Sequence, residues 1–114
     1  MPEFKIEKLP GSSIGVEVLK LAGPFTITNV FQFQDIVRAG LAPGTIVDLQ
    51  DVPYMDSAAL GSVIGLHVSC QHHNTKYALV NLSDRLKTVF RVAGVENMVA
   101  ICGSMSEAEA RVAG

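Results

Sequence analysis

The spacing of apolar residues along the chain switches repeatedly between a period of about two and a period of about 3.6. Phe4, Ile6 and, after a slip, Leu9 alternate with charged residues up to Pro10-Gly11, which predicts a half-exposed edge strand. Residues 16–21 repeat the alternation with Glu17 and Lys20 outward, and the short turn-rich connection between the two runs predicts a hairpin. Gly23-Pro24 breaks the second strand. Asn29 then stands where it can cap a helix, with Gln32 completing an approximate capping box. Val30, Phe33, Val37 and Leu41 form the buried stripe of that helix, and Gly40 with Pro43-Gly44 ends it.

The most informative stretch is residues 45–66. Thr45 to Leu49 is an apolar, β-branched run behind the Pro43-Gly44 turn and is stopped by Val52-Pro53, so it predicts a buried central strand. From Leu60 the period lengthens: Leu60, Val63, Ile64 and His67 recur at helical spacing, preceded by Asp56 and Ser57, both good N-cap residues. This helix is predicted from about Ser57 to His73. Residues 77–82 form another near-continuous apolar strand, and Ser83 caps a third helix with Leu86, Val89, Phe90 and Ala93 on one face. A short last strand is predicted at residues 99–101. Ser104 and Glu107 make a capping box for a final helix with Met105, Ala108 and Val112 inward. The order ββαβαβαβα implies an α/β domain covering residues 1–114, with a mixed sheet of four to five strands, about four helices and right-handed crossovers.

Composition narrows the function classes. The 114 residues are 48% hydrophobic and 18% charged, which suits a folded domain with a sizeable core and argues against disorder. A net charge of −2 leaves no footprint for nucleic acid. Cys70 and Cys102 are isolated, without a C-x-x-C pair, and read as small hydrophobes in a reducing compartment. The first residues lack a basic and apolar leader, and no apolar run is long enough to cross a bilayer, so no membrane insertion and a cytoplasmic location are expected.

Candidate chemistry is sparse. His67, His72 and His73 lack the spacing of convergent metal ligands. Cys70 and His72 are two apart and point to different sides of a helix, so they do not form a nucleophile–base pair. Asp51 ends a central strand in the manner of a receiver-type phosphoacceptor. The first strand, however, ends in Leu9-Pro10, without the acidic pair such a Mg²⁺ site needs, and Asp51 reads as a turn residue. Asp48 lies inside the buried strand and therefore needs hydrogen bonds to a helix end or loop, a structural role. No enzyme activity, metal or cofactor is expected. Gly61 and Gly65 each cost a helix interior about 1 kcal/mol relative to alanine, which calls for either close packing on the sheet or a flat face for a partner. Val63, Ile64, Leu66 and Val68 cannot all face the sheet, which predicts an exposed apolar strip beside Ser57.

Ser57 is the remaining candidate, because a helix start offers unpaired N–H donors and the positive end of the macrodipole. The pattern Val47-Asp48-Leu49, Val52, Met55-Asp56-Ser57, Leu60-Gly61, then Leu82-Ser83 and Phe90 to Val95 resembles the STAS domain of bacterial anti-sigma factor antagonists over nearly the whole chain. The chain differs from that family in carrying Ala58-Ala59 after the serine, and in having Gly23-Pro24-Phe25-Thr26 without the usual aspartate of that loop. The resemblance implies that Ser57 is phosphorylated by a partner kinase, and that Asp56, Ser57, Ala58, Leu60, Gly61, Phe25 and Thr26 meet the partner. It further implies an anti-sigma factor with serine kinase activity as that partner. Binding by the unphosphorylated form would release a sigma factor; ATP and Mg²⁺ would belong to the kinase, and a phosphatase would reset the switch. The alternative is a stand-alone STAS scaffold in a signalling assembly or on a transporter ATPase.

Overall fold

The computed structural model describes residues 3–113. Its elements in chain order are β1 (Lys5–Pro10), β2 (Val16–Ala22), α1 (Val30–Ala39), β3 (Gly44–Asp51), α2 (Ser57–His73), β4 (Lys76–Val80), α3 (Asp84–Val92) and α4 (Met105–Val112). The four strands lie in the order β1-β2-β3-β4. β1 and β2 are the expected antiparallel hairpin, whereas β2–β3 and β3–β4 are parallel and joined through helices, giving a mixed sheet. The predicted fifth strand at residues 99–101 is reduced to one parallel bridge between Leu79 and Ile101. It is sewn by Ala100 O accepting from Leu79 N and by Cys102 N donating to Leu79 O.

The two sheet faces are unequal. Leu19, Leu21, Val47, Leu49 and Leu79 project to the side covered by α1, α2 and α3, where they join Phe25, Phe33, Leu66 and Phe90 in the main core. Val16, Val18, Ile46, Ala78 and Val80 face the other side, covered by Ala108 and Val112 of α4. β3 is central and both faces of it are covered, so Ile46, Val47 and Leu49 are sealed from solvent, as the unbroken apolar run required. Asp48 on this strand accepts from Gln50 N and Asn81 Nδ2, both at 3.0 Å, and so has the structural bonds a buried carboxylate needs.

The helix starts show where local rules hold. Ser83 Oγ accepts from Leu86 N and Ser104 Oγ from Glu107 N, the predicted caps. The Glu107 carboxylate reaches Gly103 N rather than Ser104 N. Asn29 is the N-cap residue of α1 by position, but its side chain makes no cap bond. It turns back into the preceding loop, accepting from Thr26 N at 2.9 Å and donating to Pro24 O at 2.8 Å. A loop with several inward amides outbid the helix end for the same side chain. Within α3, Leu86 and Phe90 are buried as expected, whereas Ala93 is exposed.

Candidate functional site

β3 ends at Asp51, and the chain crosses the end of the sheet through residues 52–56 before α2 begins. The β2–α1 loop runs alongside it. Phe25 N donates to Tyr54 O (3.1 Å), Asp56 N donates to Phe25 O (3.2 Å), and Phe25 and Met55 form a parallel bridge. Buried Phe25 and Met55 anchor this pairing in the core, with Phe25 stacked on Phe4 at 5.1 Å and edge-on to Phe33 at 5.4 Å. The two loops are therefore one main-chain-bonded platform.

Asp56 locks the platform to the helix. Its backbone is extended, its Oδ1 accepts from Ala59 N, and its Oδ2 accepts from Ile27 N across the gap, both at 2.9 Å. The cap is thus Asp56 alone; Ser57, the other cap candidate, is the first helical residue and is exposed. With Asp56 occupied on both oxygens, the Ser57 residue stands exposed at the N-terminus of a 17-residue helix.

The residues named for the partner surface separate on exposure. Asp56, Ala58 and Thr26 are half-buried, Gly61 is exposed, and Leu60 is buried at 7%. Phe25 is fully buried, so its side chain supports the platform and cannot itself meet a partner. The expected apolar strip on α2 is mostly internal: Val63 and Leu66 are buried, Ile64 is half-buried and Val68 alone is open. Exposed apolar side chains are found nonetheless on the two loops and on the first turn of α1. Ile27, whose amide is bonded to Asp56, is 58% exposed; Phe31, a turn further on, is 64% exposed; and Tyr54 is 39% exposed with the Arg85 guanidinium 5.6 Å over its ring. Sequence reasoning missed these because they lie outside any periodic stripe. The only available signal was Phe31 standing between the buried Val30 and Phe33 positions.

Of the two readings of Gly61 and Gly65, the structure removes close packing on the sheet. A Cβ at either would meet nothing within 4 Å, so they are not there for packing on the sheet. They line a groove of about 360 Å³ with Gln34, Val37 and Arg38 of α1. Elsewhere, His72 and His73 are exposed with rings 5.2 Å apart, and no metal-holding cluster of His, Cys, Asp or Glu occurs among the described residues. Burial raises the Cys70 thiol above its usual range, although a hydrogen bond with Thr75 opposes this, so Cys70 is a poor nucleophile. Asp51 sits at the strand end and pairs with Lys20 at 3.7 Å.

The sequence model of the STAS domain matches residues 12–108. The chain belongs to the STAS domain family. Among curated relatives it is 36% identical over 55 residues to the anti-sigma-B factor antagonist of Listeria monocytogenes, a match spanning 48% of each chain. The alignment therefore covers about half the length of that relative. Solved structures extend the likeness to the whole domain at the level of fold. An anti-sigma factor antagonist from Mycobacterium paratuberculosis superposes with a TM-score of 0.77 at 15% identity, covering 96% of both chains. The phosphorylated form of the Bacillus cell fate determinant SpoIIAA gives 0.68 at 22% identity, covering 96% of this STAS domain and 99% of that chain. No helix among the described residues is long and apolar enough to cross a membrane.

Proposed function

We propose that this STAS domain is an anti-sigma factor antagonist whose unphosphorylated form docks on an anti-sigma factor with serine kinase activity, and which phosphorylation of Ser57 switches off. The observation that carries the reading is Ser57 itself: exposed, at the start of α2, with Ile27, Phe31 and Tyr54 exposed on the two loops and the first turn of α1. The similarity to anti-sigma factor antagonists supports it.

The switch works through charge rather than through refolding. A phosphate adds about −1.5 to −2 charges, next to an Asp56 carboxylate whose two oxygens are already engaged. The helix N-terminus and its amides tolerate that charge in the free domain. In a docked interface the phosphate must lose water against apolar neighbours, at a cost of about 2 to 5 kcal/mol when unpaired. At about 1.4 kcal/mol per decade, binding weakens roughly thirty-fold to several thousand-fold. Catalysis, ATP and Mg²⁺ belong to the kinase, and a separate phosphatase restores the active form.

Titration calorimetry of Ser57→Ala and Ser57→Asp against the anti-sigma factor, with thermal melts alongside, tests the proposal. The alanine variant keeps wild-type affinity and resists the kinase. The aspartate variant, with one charge and less bulk than a phosphate, stays folded but binds more weakly, by less than the phosphate itself. Equal affinities for both variants, or phosphate incorporation into the alanine form, would sink the reading.

A further inference from the structure

The far end of α2 carries a second built site, unrelated to Ser57. Between the last turns of α2, the start of β4 and the segment before the Ile101 bridge lies a cavity of about 450 Å³, within the size range of small-molecule sites. Ligand-facing groups at its wall are His67, Gln71, Asn74, Lys76, Tyr77 and Arg111, with Cys70, Met98 and Ala100 as apolar surface. Two features distinguish it from a surface dent.

The first is charge. Lys76 and Arg111 both line the cavity, and no carboxylate does. Among the described residues the ion pairs are Lys20–Asp51 and Asp35–Arg38, and neither involves Lys76 or Arg111. The guanidinium stands close enough to pull the Tyr77 hydroxyl's pKa down, against the larger upward push of burial.

The second is a hydrogen-bond chain that holds the wall in place. Ala100 N donates to the Tyr77 hydroxyl oxygen at 3.1 Å, and that hydroxyl lies 2.7 Å from His67 Nδ1. Burial keeps the phenol protonated. The Tyr77 hydroxyl can donate to His67 Nδ1 or accept from it, so the contact holds the imidazole at the cavity wall in either tautomer. The half-buried ring is also held edge-on to Tyr77 at 5.6 Å.

Two cations with no carboxylate beside them at the wall, a held imidazole and the amides of Gln71 and Asn74 match a compact dianion better than a neutral or singly charged group. The cavity exceeds the volume of a bare phosphate and adds an apolar wall for an organic portion. We infer that this cavity binds a small phosphomonoester, with the phosphate between Lys76 and Arg111 and the organic part against Met98 and Ala100.

The full chain, ¹⁵N-labelled, can be titrated by NMR with glycerol 3-phosphate, glucose 6-phosphate and inorganic phosphate, and with glycerol and glucose as uncharged controls. Saturable shifts at the Gln71, Asn74, Lys76 and Ala100 amides are expected for a phosphomonoester, with an apparent Kd of about 1 mM or tighter. Inorganic phosphate should bind more weakly and the uncharged controls not at all. The relative affinities of the two esters report which size of organic group fits. Lys76→Gln and Arg111→Gln, both at exposed positions, should each weaken the ester about tenfold while leaving the rest of the spectrum in place. His67→Gln, which removes the imidazole from the wall, should weaken it as well. Shifts that stay linear to about 10 mM, that are unchanged in Lys76→Gln and Arg111→Gln, or that centre on residues 56–60 would overturn the inference. The outcome does not depend on whether Ser57 is a phosphoacceptor.

Discussion

The two ends of α2 are built by different means. At its start, backbone bonds between Phe25, Tyr54 and Asp56, plus two bonds to one carboxylate, fasten loops into a platform. At its end, Asn74 turns the chain in the left-handed conformation (φ 57°), and the Tyr77 side chain carries the bonding, to His67 and to the Ala100 backbone N–H. A main-chain platform keeps its shape when a charge is placed on it, which suits a surface read by another protein. A side-chain network around a cavity holds polar groups at its wall, where a small molecule could meet them. The same helix thus starts in loops tied by their main chains and ends in a hydrogen-bonded network beside a cavity.

The largest effect on stability is expected where one residue serves both loop and helix. Asp56→Ala should cost about 2 to 3 kcal/mol, since it removes the α2 cap and the tie to Ile27 together. Asp56→Asn keeps one amide oxygen as acceptor and should recover about half. Chemical denaturation of the pair measures this, and equal, small losses would show that the platform does not rely on Asp56.

Tyr77→Phe probes the opposite end. It leaves the Ala100 N–H without its acceptor and frees His67, for an expected loss of about 1 to 2 kcal/mol. Hydrogen exchange should quicken at Ala100 and leave Asp56 to Ala59 unchanged. Spread of the effect to the helix start would mean that the two ends are one cooperative unit.

Gly61→Ala and Gly65→Ala should each stabilise the fold by about 1 kcal/mol, because the new methyl enters open space in a helix interior. A rise in Tm with weakened partner binding would extend the docking surface from Ser57 into the groove beside α1. A fall in Tm would mean that the helix face is closer packed than it is here.

The smallest effect is at alkaline pH. Burial raises Cys70 above its ordinary 9.0 and Tyr77 above its ordinary 10.0, so the folded state favours their neutral forms. That stabilisation is complete below those ordinary values and is lost as pH rises through the raised ones. Unfolding free energy should therefore fall above about pH 9 to 10, less steeply in Tyr77→Phe than in the parent. A pH-independent difference between the two would show that the phenol's proton plays no part.

Local physics was legible in the residues alone. The start of α2 follows from a cap residue directly before a helical apolar period, whereas its end is made by Asn74 in the left-handed conformation, a signal the apolar period does not contain. The buried central strand follows from its unbroken apolar run, and the bonding of Asp48 from the cost of burying a carboxylate. Ser83 and Ser104 cap as placed, for the same short-range reason. Only the tertiary structure decided questions settled by competition between distant groups. Asn29 chose the loop amide over its helix end because the β2–α1 loop folds back within its reach. The glycines of α2 face a groove because α1 lies alongside without closing on them. The exposed apolar side chains Ile27, Phe31 and Tyr54 came from the two loops and α1, and the cavity beyond Tyr77 from α2, β4 and α4 meeting across long sequence separations. Periodicity reports which face of an element is buried; what stands opposite that face is set by packing, which no window of neighbouring residues contains.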